Sequence, residues 1–324
     1  MLSIPEYHKA FVNQLSARIE TKQPVNLYTP ISYILQLGGK RLRPILTLMT
    51  TDIFGGDYTK AMNAALAVEV FHNFSLVHDD IMDDAPLRRG KETVHEKWDI
   101  NTGILSGDAM LIIAYQFFEA YEPNVFSQLA KLFSKTAIEV CEGQQYDVDF
   151  EVRDDVVIDE YLTMITLKTA VLVAAAMKMG AIIAGTSEKD AQNIYSFGLN
   201  LGIAFQLQDD YLDAFGDPKK FGKQVGGDII ENKKTYLFLK AKELAAKEEA
   251  NQLEHLFTIN PSDPKEKINT VLGIFEESGA AESTRKEIES YTTKAFEVLE
   301  ALELPKEGKA MLYNFGKELM DRKF

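Results

Sequence analysis

The chain has 324 residues, 46% of them hydrophobic, and its 49 acidic against 35 basic side chains leave a formal charge of −14. That is enough apolar material for a large core, and the acidic balance argues against nucleic-acid binding, which rewards clustered Lys and Arg. The single cysteine, Cys141, excludes an internal disulfide framework and suits a reducing compartment. The N-terminus shows no basic region followed by an apolar run, so no signal peptide is visible, and a cytoplasmic location is expected.

Helical spacing then runs along the chain. Residues 61–84 place Ala64, Ala65, Val68, Phe71, Phe74, Ser75 and His78 at offsets of three and four. Residues 104–120, 129–147, 160–184, 190–213 and 229–248 repeat the pattern. In residues 285–302, Ile288, Tyr291, Ala295, Val298, Leu299 and Leu302 make one amphipathic stripe. Pro24, Pro30, Pro123, Pro218, Pro261, Pro264 and Pro305 fall between these segments. The apolar stretch 170–185 is interrupted by Lys178 and is too short to span a bilayer, so no stable membrane insertion is expected. No stretch alternates with period two. The expectation is an all-α protein of about ten or more helices, without a sheet, as one domain over residues 1–324.

Two segments carry chemistry. Residues 76–90 read LVHDDIMDDAPLRRG, and residues 208–213 read QDDYLD. Asp79, Asp80 and Asp83 therefore share the D-D-x-x-D spacing of Asp209, Asp210 and Asp213, 130 residues further on. On a helix, positions i and i+4 share a face, so each cluster can offer carboxylates to a hard cation such as Mg²⁺, which fills its shell with water and phosphate oxygens. Both clusters end strongly apolar runs, which disfavours a merely solvated acidic face. The spacing is not that of an EF-hand.

An acidic protein also keeps cations at particular places. Gly38-Gly39-Lys40-Arg41-Leu42-Arg43-Pro44 sets three behind a glycine pair, where backbone can approach an anion closely. Arg88 and Arg89 follow the first cluster, Lys168 precedes Thr169 inside an apolar run, and Lys223, Lys233 and Lys234 follow the second cluster. Arg offers a planar fork to phosphate, and Lys a mobile point charge. Taken singly, each could be an ordinary surface or snorkelling charge.

From GGKRLRP through both acidic clusters to Lys233–Thr235, the chain resembles the trans-isoprenyl diphosphate synthases, or polyprenyl synthetases. The resemblance implies an all-α bundle around a central cavity, a homodimer, and head-to-tail condensation of isopentenyl diphosphate with an allylic diphosphate (dimethylallyl, geranyl or farnesyl). It implies Mg²⁺, three ions when substrate is bound with Mn²⁺ as a substitute, held by Asp79 and Asp83 on one side and Asp209 on the other. Asp80, Asp210 and Asp213 would order metal-bound water. Arg88, Lys168, Lys223 and Lys233 match contacts to the allylic diphosphate, the last with its register open between Lys233 and Lys234. Gly39, Lys40, Arg43, His72 and Arg89 match the isopentenyl diphosphate site, and Thr169 and Gln206 match oxygen dipoles beside the carbocation. Asp84 extends the first cluster beyond the family pattern and reads as a loop or surface acid.

Ser75, His72 and Phe71 lie beneath Asp79 at helical spacing, while Phe74 sits five residues back, about 140° round the helix. In the family, bulk at Phe74 limits the product, and the small Ser75 beside it implies a twenty-carbon product, geranylgeranyl diphosphate. Fifteen carbons or a longer chain stay open. A terpene cyclase would need no second diphosphate site, and a non-catalytic subunit would be expected to have lost one cluster.

Overall fold

The apolar spacings form helices along nearly the whole chain in the structure, a computed structural model that describes residues 1–18, 22–216 and 225–320. The helices are α1 (Ile4–Arg18), α2 (Val25–Gln36), α3 (Leu42–Ile53), α4 (Met62–Met82), α5 (Val94–Lys97), α6 (Ile100–Gln116) and α7 (Pro123–Val152). They continue as α8 (Ile158–Ile165), α9 (Val171–Ala184), α10 (Glu188–Phe215), α11 (Gly227–Ile230), α12 (Tyr236–Leu244) and α13 (Lys247–Leu256). The last three are α14 (Lys265–Glu277), α15 (Ala280–Ala301) and α16 (Lys306–Met320). The all-α expectation holds.

Two compact units emerge: Met1–Ser134 with Ala175–Gln192, and Lys135–Ala174 with Asn193–Phe324. In the first, α4 is the central element. Ala64, Ala65, Leu66, Ala67, Val68, Val70, Phe71, Phe74 and Val77 are all buried, so this helix is covered on most sides, as a helix apolar all round must be. In the second, Tyr161, Ile165, Leu207, Leu237, Phe238, Leu253, Val271 and Phe275 are among the residues of one core.

Several local features depart from the sequence reading. Residues 158–184 form one helical run interrupted by a π-turn at Thr166–Ala170. At 27 residues it is long and apolar enough to cross a membrane, contrary to the expectation from residues 170–185, but 61% of its apolar window is buried inside the protein. A two-stranded ribbon, β1 (Leu87–Arg88) against β2 (Lys91–Glu92), pairs Arg88 with Lys91. Its two-residue turn has positive φ at both Arg89 (53°) and Gly90 (72°), as a primed hairpin turn requires. The segment 229–248 is not one helix: Asn232 adopts φ 59° between α11 and α12, a left-handed conformation Asn tolerates and a helix cannot. Pro30 lies inside α2 rather than between helices, at the cost of a helical hydrogen bond.

Candidate active site

The first acidic cluster ends α4. Asp83 is the C-cap, and Asp84 follows with φ 48°. The Asp84 N–H donates to the Ile81 carbonyl at 3.4 Å and the Ala85 N–H to the Asp80 carbonyl at 2.9 Å. That pair of bonds is a Schellman ending, with an aspartate in the left-handed position usually given to glycine. Asp84 is thus the helix stop.

Asp80 is 1% exposed and is clamped by Arg88: Nε donates to Oδ1 and Oδ2 at 2.8 and 2.9 Å, and Nη2 to Oδ1 at 2.6 Å. Asp79 is half-buried and Asp83 exposed. Neighbours on a helix are 100° apart, so Asp80 turns inward while Asp79 and Asp83 share another face.

The residues expected to hold isopentenyl diphosphate lie in the same unit. Arg89 donates to the Gly38 carbonyl, and its guanidinium covers Gly39, where an added Cβ would stand 3.0 Å from Cζ. Arg43 Nη1 lies 3.2 Å from His72 Nε2. Because guanidinium can only donate, that nitrogen accepts, which is the neutral imidazole. Burial, then the charges of Arg43, Arg89, Arg88 and Arg41, hold His72 well below the usual histidine range. Such a surplus of cations around a neutral ring suits an anionic ligand. Lys40 is exposed. Arg41, in contrast, pairs with buried Glu69, which also accepts from Asn73 at 2.8 Å.

On α4, Phe71 meets Phe74 at 5.5 Å between ring centroids and Phe133 of α7 at 5.1 Å, and Phe118 meets Phe133 at 5.1 Å. Phe74 also packs edge-on against His78. Ser75 turns its hydroxyl back to the His72 carbonyl, 2.9 Å away.

In the second unit, Lys168, Thr169, Gln206, Asp210, Lys233 and Lys234 line one pocket of about 140 Å³. Lys168 Nζ donates to Asp147 Oδ2 at 2.6 Å. Thr169 Oγ1 donates to Gln206 Oε1 at 3.1 Å, and Gln206 Nε2 to Asp210 Oδ1 at 2.8 Å. Tyr161 completes the chain by donating to Asp210 Oδ2 at 2.5 Å. The π-turn carries Lys168 and Thr169, and glycines let neighbours press against it: a Cβ on Gly143 would sit 2.2 Å from the Lys168 nitrogen, and one on Gly202 2.8 Å from Ala170 Cα.

Burial, with the charges of Asp209 and Asp147, pushes Asp210 up to about 7 against hydrogen bonds from Tyr161 and Gln206. Burial and the charges of Asp210 and Asp213 push Asp228 well above the carboxylate range. Asp213 accepts the Asp228 N–H at 2.8 Å, fixing the start of α11. Lys234 donates to the Phe150 carbonyl at 2.9 Å, capping the end of α7. Lys233 pairs with Glu231 at 2.9 Å. Burial would lower its pKa, but Glu231, Asp228 and Asp147 hold it above the usual lysine range. Lys223 lies outside the described residues.

Asp147, Tyr161 and Asp228 were missed in the sequence. Asp147 and Asp228 had only a lone acid as signal, and Tyr161 looks like any core aromatic.

A family profile described as polyprenyl synthetase matches residues 24–274. A crystal structure titled geranylgeranyl pyrophosphate synthase is 56% identical, with TM-score 0.96 and full coverage of both chains. Geranylgeranyl pyrophosphate synthase of Geoglobus acetivorans is 36% identical over 93% of this chain and 92% of its own. Geranylfarnesyl diphosphate synthase of Natronomonas pharaonis is 34% identical over 99% and 97%. The chain belongs to the polyprenyl synthetase family of trans-prenyltransferases.

Proposed function

We propose that this protein condenses isopentenyl diphosphate with allylic diphosphates to make geranylgeranyl diphosphate, with residues 1–324 acting as one catalytic domain. The observation that carries the reading is the second-unit pocket, where Lys168, Thr169, Gln206 and Lys233 meet around Asp210. The C20 product rests on relatives named geranylgeranyl synthases and on the Phe71–Phe74–Phe133 aromatic group of α4 and α7. The geranylfarnesyl relative marks a longer chain as the second reading.

The family generally uses Mg²⁺, and the donor set fits it. Asp79, Asp83 and Asp209 offer only oxygen, which suits a hard cation. Asp210 and Asp228 are pushed up by burial first and by neighbouring carboxylates second, and a nearby cation would favour their ionised forms. When bound, Mg²⁺, three ions in the full complex, supplies charge stabilisation to the departing diphosphate.

The protein's own groups do the rest. Lys168, Lys233, Lys223 and Arg88 contact the allylic diphosphate and stabilise it as its C–O bond breaks and the bonding pair leaves with oxygen. Asp80 keeps the Arg88 fork oriented. Arg43, neutral His72, Lys40, Arg89 and the Gly39 backbone hold the second diphosphate. Thr169 and Gln206, fixed by the bonds to Asp210, direct oxygen dipoles at the carbocation, which the homoallylic double bond attacks. Proton loss to the released diphosphate restores an alkene. Asp210 and Asp213 order water around the ions.

A homodimer is supported by α6, which exposes Ile104, Leu105 and Ile112. A cytoplasmic location is supported by the lone cysteine, Cys141, which is exposed.

The test is incubation with Mg²⁺, labelled isopentenyl diphosphate and dimethylallyl, geranyl or farnesyl diphosphate, followed by chain-length analysis. A C20 product is expected; no coupled product from any primer overturns the reading.

A further inference from the structure

Just past the first acidic cluster, the chain brings together one ligand atom each from Asp84, His95 and Glu96, all within 4.8 Å of one another. His95 is 7% exposed, and neither of its ring nitrogens has a hydrogen-bond partner. That is unusual for a buried imidazole, because burying a polar group without a partner costs free energy. Nε2 lies 3.7 Å from Glu96 Oε1, too far for a hydrogen bond. It is close to the separation of two ligands sharing one ion, about 3.4 Å when each sits about 2.1 Å from a tetrahedral metal. Asp84 and Glu96 are exposed, so an ion can enter from solvent.

We propose that Asp84, His95 and Glu96 form a site for one divalent transition metal of the Zn²⁺ or Co²⁺ class. An imidazole with two carboxylates suits such ions, whereas the all-carboxylate clusters suit Mg²⁺. The Asp84 backbone is already fixed by the Schellman ending of α4, and His95 and Glu96 belong to α5. The three ligands therefore bracket the β1–β2 ribbon that carries Arg88 and Arg89. A bound ion ties the end of α4 to α5 and closes the segment 84–95 into a loop. Insofar as Arg88 and Arg89 contact diphosphate, a role that rests on the function proposed above, the ion acts as a positioning device for them.

The test uses the full chain, stripped of metal with a chelator and titrated with Co²⁺ in excess Mg²⁺, read by calorimetry and visible absorption. No prenyl substrate is present, so the outcome is independent of the catalytic reading. One Co²⁺ per chain is expected, with an absorption band in the visible. His95→Gln and, as a second variant at an exposed position, Glu96→Gln should each weaken binding roughly tenfold or more. The double variant Asp79→Asn/Asp83→Asn should keep it. Absence of Co²⁺ binding in the wild type, wild-type affinity in both the Gln variants, or loss of binding in the double Asn variant overturns the proposal.

Discussion

Asp210 sets burial against charge. Its pKa of about 7 stands above the ordinary 3.8, so between those values the folded protein holds a proton that the unfolded chain has released. Stability from this group therefore falls as pH rises through that window. Calorimetric melts of metal-free protein should show Tm dropping between about pH 4 and about pH 7, and Asp210→Asn should flatten the drop. An unchanged slope in the variant would count against a buried, charge-crowded Asp210. Asp84 poses a different question at the backbone. A β-branched residue cannot easily hold φ 48°, so Asp84→Val should cost about 1–2 kcal/mol in urea unfolding with chelator present, while Asp84→Gly should cost nothing. Equal stabilities would remove the Schellman reading. These roles were only partly legible. Charge and spacing marked both clusters, but which aspartate of each pair turns inward depends on partners the helical pattern does not show. Asp80 needs Arg88, and Asp210 needs Tyr161, 49 residues away.

Among the helices, the π-turn between α8 and α9 does what no periodicity could announce. Its extra residue re-aims Lys168 and Thr169, and such bulges are frequent at functional sites. It survives because Gly143 on α7 and Gly202 on α10 leave room for its backbone. Gly143→Ala would drive a methyl group against the Lys168 nitrogen, a main-chain atom that cannot rotate away. We expect about 1–3 kcal/mol of destabilisation and a fall in kcat, because the Lys168–Asp147 pair moves with the turn. Denaturant unfolding combined with steady-state kinetics checks both, and a variant with parent stability and turnover would refute the packing argument. The Lys233–Lys234 ambiguity is a related case. Lys234 is committed to the Phe150 carbonyl at the end of α7, which leaves Lys233 as the better candidate for diphosphate. Asn232, by stopping α11, gives the two lysines their separate directions.

For the molecule as a catalyst, product length is the property most exposed to a single change. Phe74 is 8% exposed and packs on Phe71 and His78; in the function proposed above, its bulk is what limits the product. Phe74→Ala should shift products to chains longer than the parent's, read by chromatography after incubation with farnesyl diphosphate. An unchanged distribution would move the limit elsewhere, to Phe71 or Phe133.

The sequence by itself determined the all-α class, the two acidic clusters and the set of cations that answer them. Helical period and the i, i+4 rule are local, so they survive without knowledge of neighbours. The tertiary structure decided the finer matters: the π-turn held by Gly143 and Gly202, the pairing of Arg88 with Asp80, the neutral His72 among arginines, and the unbonded nitrogens of His95. Each depends on burial and proximity that exist only once the chain has folded, and burial and proximity are what set charge state and hydrogen-bond partner.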